Sequence, residues 1–186
     1  MVQRQRVSRN RLPDLASATR SSGDHQPLAD EINPDELKRL RARLLRLLAR
    51  REYSQHELRN RLMAPSRRTG DRASPEAVEA ALDWAQMRDL QSDERFAEAL
   101  IRRSTKRLGL SRIRAQLKSH RIEPDITSRQ LGRLAETEYS RAFDLWQNRF
   151  GQLPETEREK ARQFRFLLSR GFRNETVLTI LRGRQP

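Results

Sequence analysis

Apolar residues along this chain fall into short stripes at helical spacing, each opened by a helix-start signal. Leu37, Leu40, Leu44, Leu45 and Leu48 follow a 3.6-residue period. Asn33-Pro34-Asp35-Glu36 stands just ahead of them, with a capping Asn, a first-turn proline and a Glu three residues after the cap. Ser54-Gln55-His56-Glu57 reads as a second capping box before Leu58 and Leu62. Pro65 to Ala73 is a polar loop containing Gly70, and Ser74-Pro75-Glu76 opens a third helix carrying Val78, Ala81, Leu82 and Ala85. Ser92 or Asp93 caps a fourth helix, with Phe96, Ala97, Leu100 and Ile101. Leu110 to Lys118 forms a fifth around Ile113 and Leu117, and Pro124 starts a sixth. A seventh carries Tyr139, Phe143, Trp146 and Phe150. Pro154-Glu155 starts the next, with Phe164, Leu167 and Leu168, and Gly171 ends it in the left-handed conformation. Asn174 caps the last, Val177 to Leu181. No segment alternates with period two for long, so the fold class is all-α.

The stripes repeat. Ala73, Ile122 and Phe172 occupy equivalent places, and nine residues on stand Leu82, Leu131 and Leu181. Upstream, Leu58 and Leu62 match Ile113 and Leu117. Each unit of roughly fifty residues holds three helices and cannot hide its apolar stripes alone, so the units are expected to stack. The expected plan is three tandem three-helix repeats over 34–91, 92–135 and 136–186, forming an elongated, curved array. Residues 1–33 mix Arg, Ser, Asp, Gln and Pro without apolar period and read as a disordered basic arm.

Composition sharpens this picture. Hydrophobic residues make up 35 % of the 186 residues and charged ones 34 %. That is too little apolar matter for one thick core, and it suits thin helical layers flanked by long charged side chains. The formal net charge of +14 draws the chain towards a polyanion. The charge is grouped. Residues 37–72 hold twelve Lys/Arg against Glu52, Glu57 and Asp71; residues 102–121 hold eight and no acid; residues 76–98 hold seven acids against Arg88 and Arg95. The eight are Arg102, Arg103, Lys106, Arg107, Arg112, Arg114, Lys118 and Arg121. Arg103 with Lys106 or Arg107, and Arg114 with Lys118 and Arg121, stand three or four residues apart, the spacing of one helix face. Two adjacent helices are thus expected to present a basic strip, which Arg59, Arg61, Arg67, Arg68 and Arg72 extend. Such a strip serves phosphates or an acidic protein surface alike.

Catalysis finds little support. There is no cysteine, hence no disulfide or thiolate site, which fits a reducing cytoplasm. His25, His56 and His120 are isolated from one another and from metal-ligand spacing, and His56 and His120 are expected in exposed structural roles. Ser54, Ser74 and Ser111 open helices, so capping accounts for them without a nucleophile. Helix-dipole stabilisation accounts for Asp93 and Glu94 better than a metal site does. The aromatic residues sit on apolar stripes and read as core rather than as base-stacking platforms. No phosphate loop and no apolar run of membrane-spanning length occurs. The expectation is a non-enzymatic, cofactor-free and metal-free binding protein, monomeric and away from membranes.

Leu44-Leu45-x-x-Leu48-Ala49-Arg50-Arg51-x-Tyr53-Ser54-x-x-Glu57-Leu58-x-x-Arg61-Leu62 resembles the opening of the RecX family, bacterial regulatory proteins of RecA. Ser92-Asp93-Glu94-Arg95-Phe96-Ala97 resembles the junction that follows. Gly109-x-x-x-Ile113-x-x-x-Leu117-x-x-x-x-Ile122 and Phe166-Leu167-x-x-x-Gly171-Phe172 resemble the second and third repeats of the family. The resemblance covers about residues 36–183. It implies tandem three-helix repeats that bind a RecA–DNA filament and restrain strand exchange, ATP hydrolysis and coprotease activity, in DNA repair and the SOS response. The partners it implies are the RecA filament and, through the basic strip, single- and double-stranded DNA. The chain departs from the family pattern in its long loop Pro65–Arg72, in Arg121 where glycine is usual, and in Asp89-Leu90 where glycine and an aromatic are common. A stand-alone nucleic-acid-binding module of helix-turn-helix type is the competing reading.

Overall fold

The computed structural model describes residues 32–66 and 70–183. Apart from Ile32 and Asn33, the expected basic arm lies outside the described residues, as do Arg67 and Arg68. Among the described residues there are nine helices and no strand. They are α1 (Pro34–Leu48), α2 (Gln55–Met63), α3 (Pro75–Met87), α4 (Asp93–Ser104), α5 (Leu110–Ser119), α6 (Pro124–Ala135), α7 (Glu138–Arg149), α8 (Glu157–Ser169) and α9 (Asn174–Leu181).

Each successive triplet closes around its own apolar cluster. Leu40, Leu44, Leu58, Leu62, Val78 and Leu82 fill the first. Phe96, Leu100, Ile113, Leu117, Ile122 and Leu131 fill the second. Ala142, Trp146, Leu167, Phe172, Val177 and Ile180 fill the third. The matched positions keep their places: Ala73, Ile122 and Phe172 each stand just before the N-cap of the third helix of a triplet. One apolar position is exchanged for a polar one. Gln163 of α8 stands where α2 has Leu58 and α5 has Ile113, and its buried Oε1 accepts from Trp146 Nε1 at 2.7 Å. The pairing satisfies two buried polar groups at once.

Helix starts explain most of the local order. Asn33 Oδ1 accepts from Asp35 N at 2.9 Å, Ser54 Oγ from Glu57 N at 3.1 Å, and Ser92 Oγ from Arg95 N at 3.3 Å. Four details differ from expectation. At α2 only half of the capping box forms, because the Glu57 carboxylate turns to Arg51 and Arg61. At α8 the helix begins two residues after Glu155, since Thr156 and Glu159 make a complete capping box. At α9 the N-cap is Arg173 and Asn174 is the first helical residue. At α5 the N-cap is Gly109 and Ser111 caps nothing; the α5 amides find partners from the next triplet instead.

Two seams join the triplets, and both use an acid at the start of the incoming first helix. Asp93, the first residue of α4, accepts from Gln55 N at the start of α2 at 2.8 Å. Glu138, the first residue of α7, accepts from Leu110 N at the start of α5 at 3.4 Å. An arginine in the first turn of each incoming helix, Arg95 of α4 and Arg141 of α7, clamps each seam. Arg95 reaches Glu52 at 3.1 Å and Asp89 at 2.6 Å. Arg141 donates to the carbonyls of Thr105, Leu108 and Leu134 at 3.1–3.4 Å.

Candidate polyanion interface

The basic residues of the middle triplet surround the α4–α5 hairpin. Its inner side is fixed by Phe96, Leu100, Ile113 and Leu117, and by Ser104 Oγ donating to Gln116 Oε1 at 3.2 Å. Burying those faces leaves the intervening residues outward. All eight predicted cations are exposed: Arg102 and Arg103 in the last turn of α4, Lys106 and Arg107 in the turn after it, Arg112, Arg114 and Lys118 on α5, and Arg121 just beyond. The acids of α4 are turned elsewhere, for Glu94 meets Arg129 and Glu98 meets Gln130, both on α6. Arg102, Lys106, Arg107, Arg114, Lys118 and Arg121 form no ion pair among the described residues. Positive charge is therefore concentrated on one hairpin, and no ion pair among the described residues offsets it.

The helix-face argument for this strip needs correction. Helix α4 ends at Ser104, so Lys106 and Arg107 belong to a turn rather than to the face of Arg103. Helix α5 ends at Ser119, and Arg121 stands beyond it at φ +56°, in the left-handed place that glycine takes at Gly171. Only Arg114 and Lys118 share a helix face one turn apart. Arg112 is held at the second seam, donating from Nε to Ser169 O at 3.1 Å. Arg103 lies over the Phe96 ring at 5.9 Å.

Of the expected extension into the first triplet, Arg59 and Arg61 are paired with acids. Arg59 makes two bonds of 2.6 Å to the carboxylate of Glu79, which hold that carboxyl below its ordinary range and raise the guanidinium. Arg61 meets Glu57 at 3.3 Å, and its guanidinium sits 5.2 Å from the Tyr53 ring. Arg72 is exposed on the loop.

The histidines are not exposed as expected. His56 and His120 are both half-buried, close to the first seam. His120 meets Phe96 edge-on at 4.8 Å. Burial pushes its pKa below 6.5; Glu57 pulls upward, and Arg103, Arg51 and His56 add to the depression. Among the described residues no group of His, Cys, Asp or Glu could hold a metal ion, and no helix is long and apolar enough to cross a membrane.

Sequence reasoning missed the structural parts of Asp93, Glu138 and Arg141. Glu138 is fully buried; besides Leu110 N it takes the Arg173 guanidinium and faces Thr176 Oγ1 at 3.5 Å. A first-turn acid looks like a helix-dipole partner in any single sequence. The one available hint was Gly109, a helix start without a capping side chain.

Comparison with known proteins decides the family. The model of the third three-helix domain of RecX matches residues 136–181, and that of the second matches residues 92–129. A regulatory protein RecX from Leptothrix cholodnii is 43 % identical over 143 residues, 77 % of this chain and 87 % of that protein. The chain belongs to the RecX family. Another regulatory protein RecX, from Herminiimonas arsenicoxydans, is 36 % identical over 78 % of this chain and 93 % of its own length. The crystal structure of RecX from Lactobacillus salivarius superposes with a TM-score of 0.64, covering 80 % of this chain and 96 % of that one, at 19 % identity. At that distance the superposition speaks for the fold alone. The RecX assignment accounts for the helical triplets, and it makes the basic α4–α5 hairpin a feature of a regulatory protein.

Proposed function

We propose that this RecX-family chain binds a RecA–DNA filament and restrains its recombinase, ATPase and coprotease activities, without chemistry of its own. The observation that carries this reading is the exposed α4–α5 hairpin. It sets eight cations on a scaffold of the RecX family, none of them in an ion pair among the described residues. A filament offers both phosphates and repeated protein surface. Three stacked triplets supply a binding face longer than a single small domain has. The DNA share of the contact is electrostatic and therefore steeply salt-dependent.

RecA ATPase on single-stranded DNA is the test. Added protein lowers the rate at saturation, and a variant with Arg114→Gln and Lys118→Gln needs more protein for the same effect. An unchanged rate at saturating wild-type protein would contradict the proposal. A stand-alone nucleic-acid module, the competing reading, predicts a marked sequence preference, which phosphate contacts alone do not confer.

A further inference from the structure

Helix α8 of the third triplet turns a row of arginines outward. Arg158, Arg162 and Arg165 are all exposed, at steps of four and three residues. At about 100° per residue they fall within roughly 60° of one another, on a strip about 10 Å long. The strip lies on the side of α8 away from the buried Gln163 and Leu167, and Ser169 continues it one turn on. Arg112 of α5 closes that end. Its Nε donates to Ser169 O at 3.1 Å, so its charge offsets the negative C-terminal end of α8. Arg112 stands about 160° round α5 from Arg114 and about 120° from Lys118, so it belongs to the α8 strip rather than to their face.

The row is held in place as well as charged. Arg162 lies over the Phe150 ring at 5.5 Å, and Arg170 over the Phe166 ring at 5.3 Å. The two half-buried rings meet edge-on at 5.4 Å. A guanidinium resting on a ring keeps its N–H groups for acceptors and has less freedom to lose on binding. The acids at the start of α8 are engaged: Glu157 meets Lys160 at 3.2 Å, and Glu159 closes the capping box with Thr156. Arg112, Arg158, Arg162 and Arg165 form no ion pair among the described residues. Gly109 N donates to Arg170 O at 2.9 Å, which fixes the start of α5, and Arg112 with it, against the end of α8. We infer that the outer face of α8, ending on Arg112, binds the phosphodiester backbone of nucleic acid, as a site separate from Arg114 and Lys118. Guanidinium forks match phosphate oxygens two at a time. A strip charged along its whole length suits a nucleic acid better than a protein partner, because protein interfaces keep charge away from their centres.

The test is binding of a labelled oligo(dT) and of a labelled duplex to the full chain by fluorescence anisotropy across a salt series, with RecA absent. Arg158→Gln with Arg165→Gln removes two phosphate contacts. The log–log salt slope is expected to become shallower by about 1.4 on the single strand or about 1.8 on the duplex, at about 0.7 and about 0.9 per phosphate. The nucleic acid that shows the change is the form the strip holds. These two side chains make no hydrogen bond, ion pair or ring contact among the described residues, so thermal melting should match the wild type. Lys38→Gln with Arg133→Gln removes the same charge from exposed places on α1 and α6 and should leave the slope unchanged. Unchanged slopes on both nucleic acids in the α8 variant would overturn the inference, and so would an equal change in the Lys38 and Arg133 control. Polyglutamate displacing the nucleic acid as well as an equal charge of unlabelled nucleic acid does would assign the strip to an acidic protein and overturn it too. Because RecA is absent, failure here leaves the filament proposal standing on its own ATPase test.

Discussion

The two seams of this molecule solve one problem with different materials. Between the second and third triplets, backbone meets backbone. Gly109 N donates to Arg170 O at 2.9 Å and Ser111 N to Gly171 O at 3.1 Å. A Cβ on Gly109 would stand 2.4 Å from the Gly171 carbonyl carbon, and one on Gly171 would stand 2.6 Å from Arg112 N. Between the first and second triplets, side chains do the bridging. Asp93 caps α2, Gln91 Nε2 donates to Tyr53 O at 3.2 Å, and Arg95 spans Glu52 and Asp89. Main chain in contact with main chain tolerates no added atom, whereas bridging side chains tolerate substitution and respond to solvent conditions. The second seam should therefore behave as a rigid joint and the first as one tuned by salt and pH.

The largest effects belong to the rigid joint. Gly109→Ala keeps an ordinary φ of −82° and suffers only the backbone clash, at a cost of about 3 kcal/mol. Gly171→Ala adds left-handed strain at φ +87° and should cost at least as much. Chemical denaturation measures both, and a loss below about 1 kcal/mol in each would show that the close approach is not a constraint. Next comes Glu138→Gln, which leaves Leu110 N and Arg173 without a carboxylate in a fully buried place. A loss of about 2 kcal/mol is expected from the same measurement.

Smaller effects sharpen the contrast at the first seam. Arg121 occupies the left-handed position that Gly171 holds in the next triplet, so Arg121→Gly should stabilise by about 1 kcal/mol while weakening polyanion binding. Arg95 and its two partners are partly exposed, so Arg95→Ala should cost about 1 kcal/mol or less, shrinking further in high salt. The smallest effect is a pH dependence from His120. Its pKa is lowered on folding, so on acidification the unfolded chain takes up the proton first. Stability conferred by the neutral ring is complete above about pH 6.5 and declines as pH falls towards the folded pKa. The wild-type denaturation midpoint should drop between neutral and mildly acidic pH, and the drop should be reduced in His120→Gln. An equal drop in both proteins would assign the pH dependence elsewhere.

The triplet plan was legible because apolar period and capping residues are local signals. Leu58 with Leu62, Ile113 with Leu117, and the caps Asn33, Ser54, Ser74 and Ser92 report on their own helices. The seams were not legible, because their determinants are displaced in sequence. Gln55 N finds its acceptor thirty-eight residues on, and Leu110 N finds its own twenty-eight residues on. Ser111 looked like a cap for α5 because nothing nearby showed that Glu138 and Gly171 would satisfy that end. Arg59 and Arg112 looked like free cations for the same reason, since Glu79 and Ser169 O engage them from other helices. The bulk position of the basic surface followed from charge grouping, but its division between helix, turn and seam required coordinates.

Binding to the filament itself bears most directly on the account. Preformed RecA filaments on single-stranded DNA are sedimented with this protein over a salt series, beside a variant carrying Arg114→Gln and Lys118→Gln. The wild type is expected in the pellet at low salt, leaving it as salt rises, and the variant is expected to leave at lower salt with unchanged melting. Wild-type protein that stays in the supernatant at every salt concentration would contradict the account.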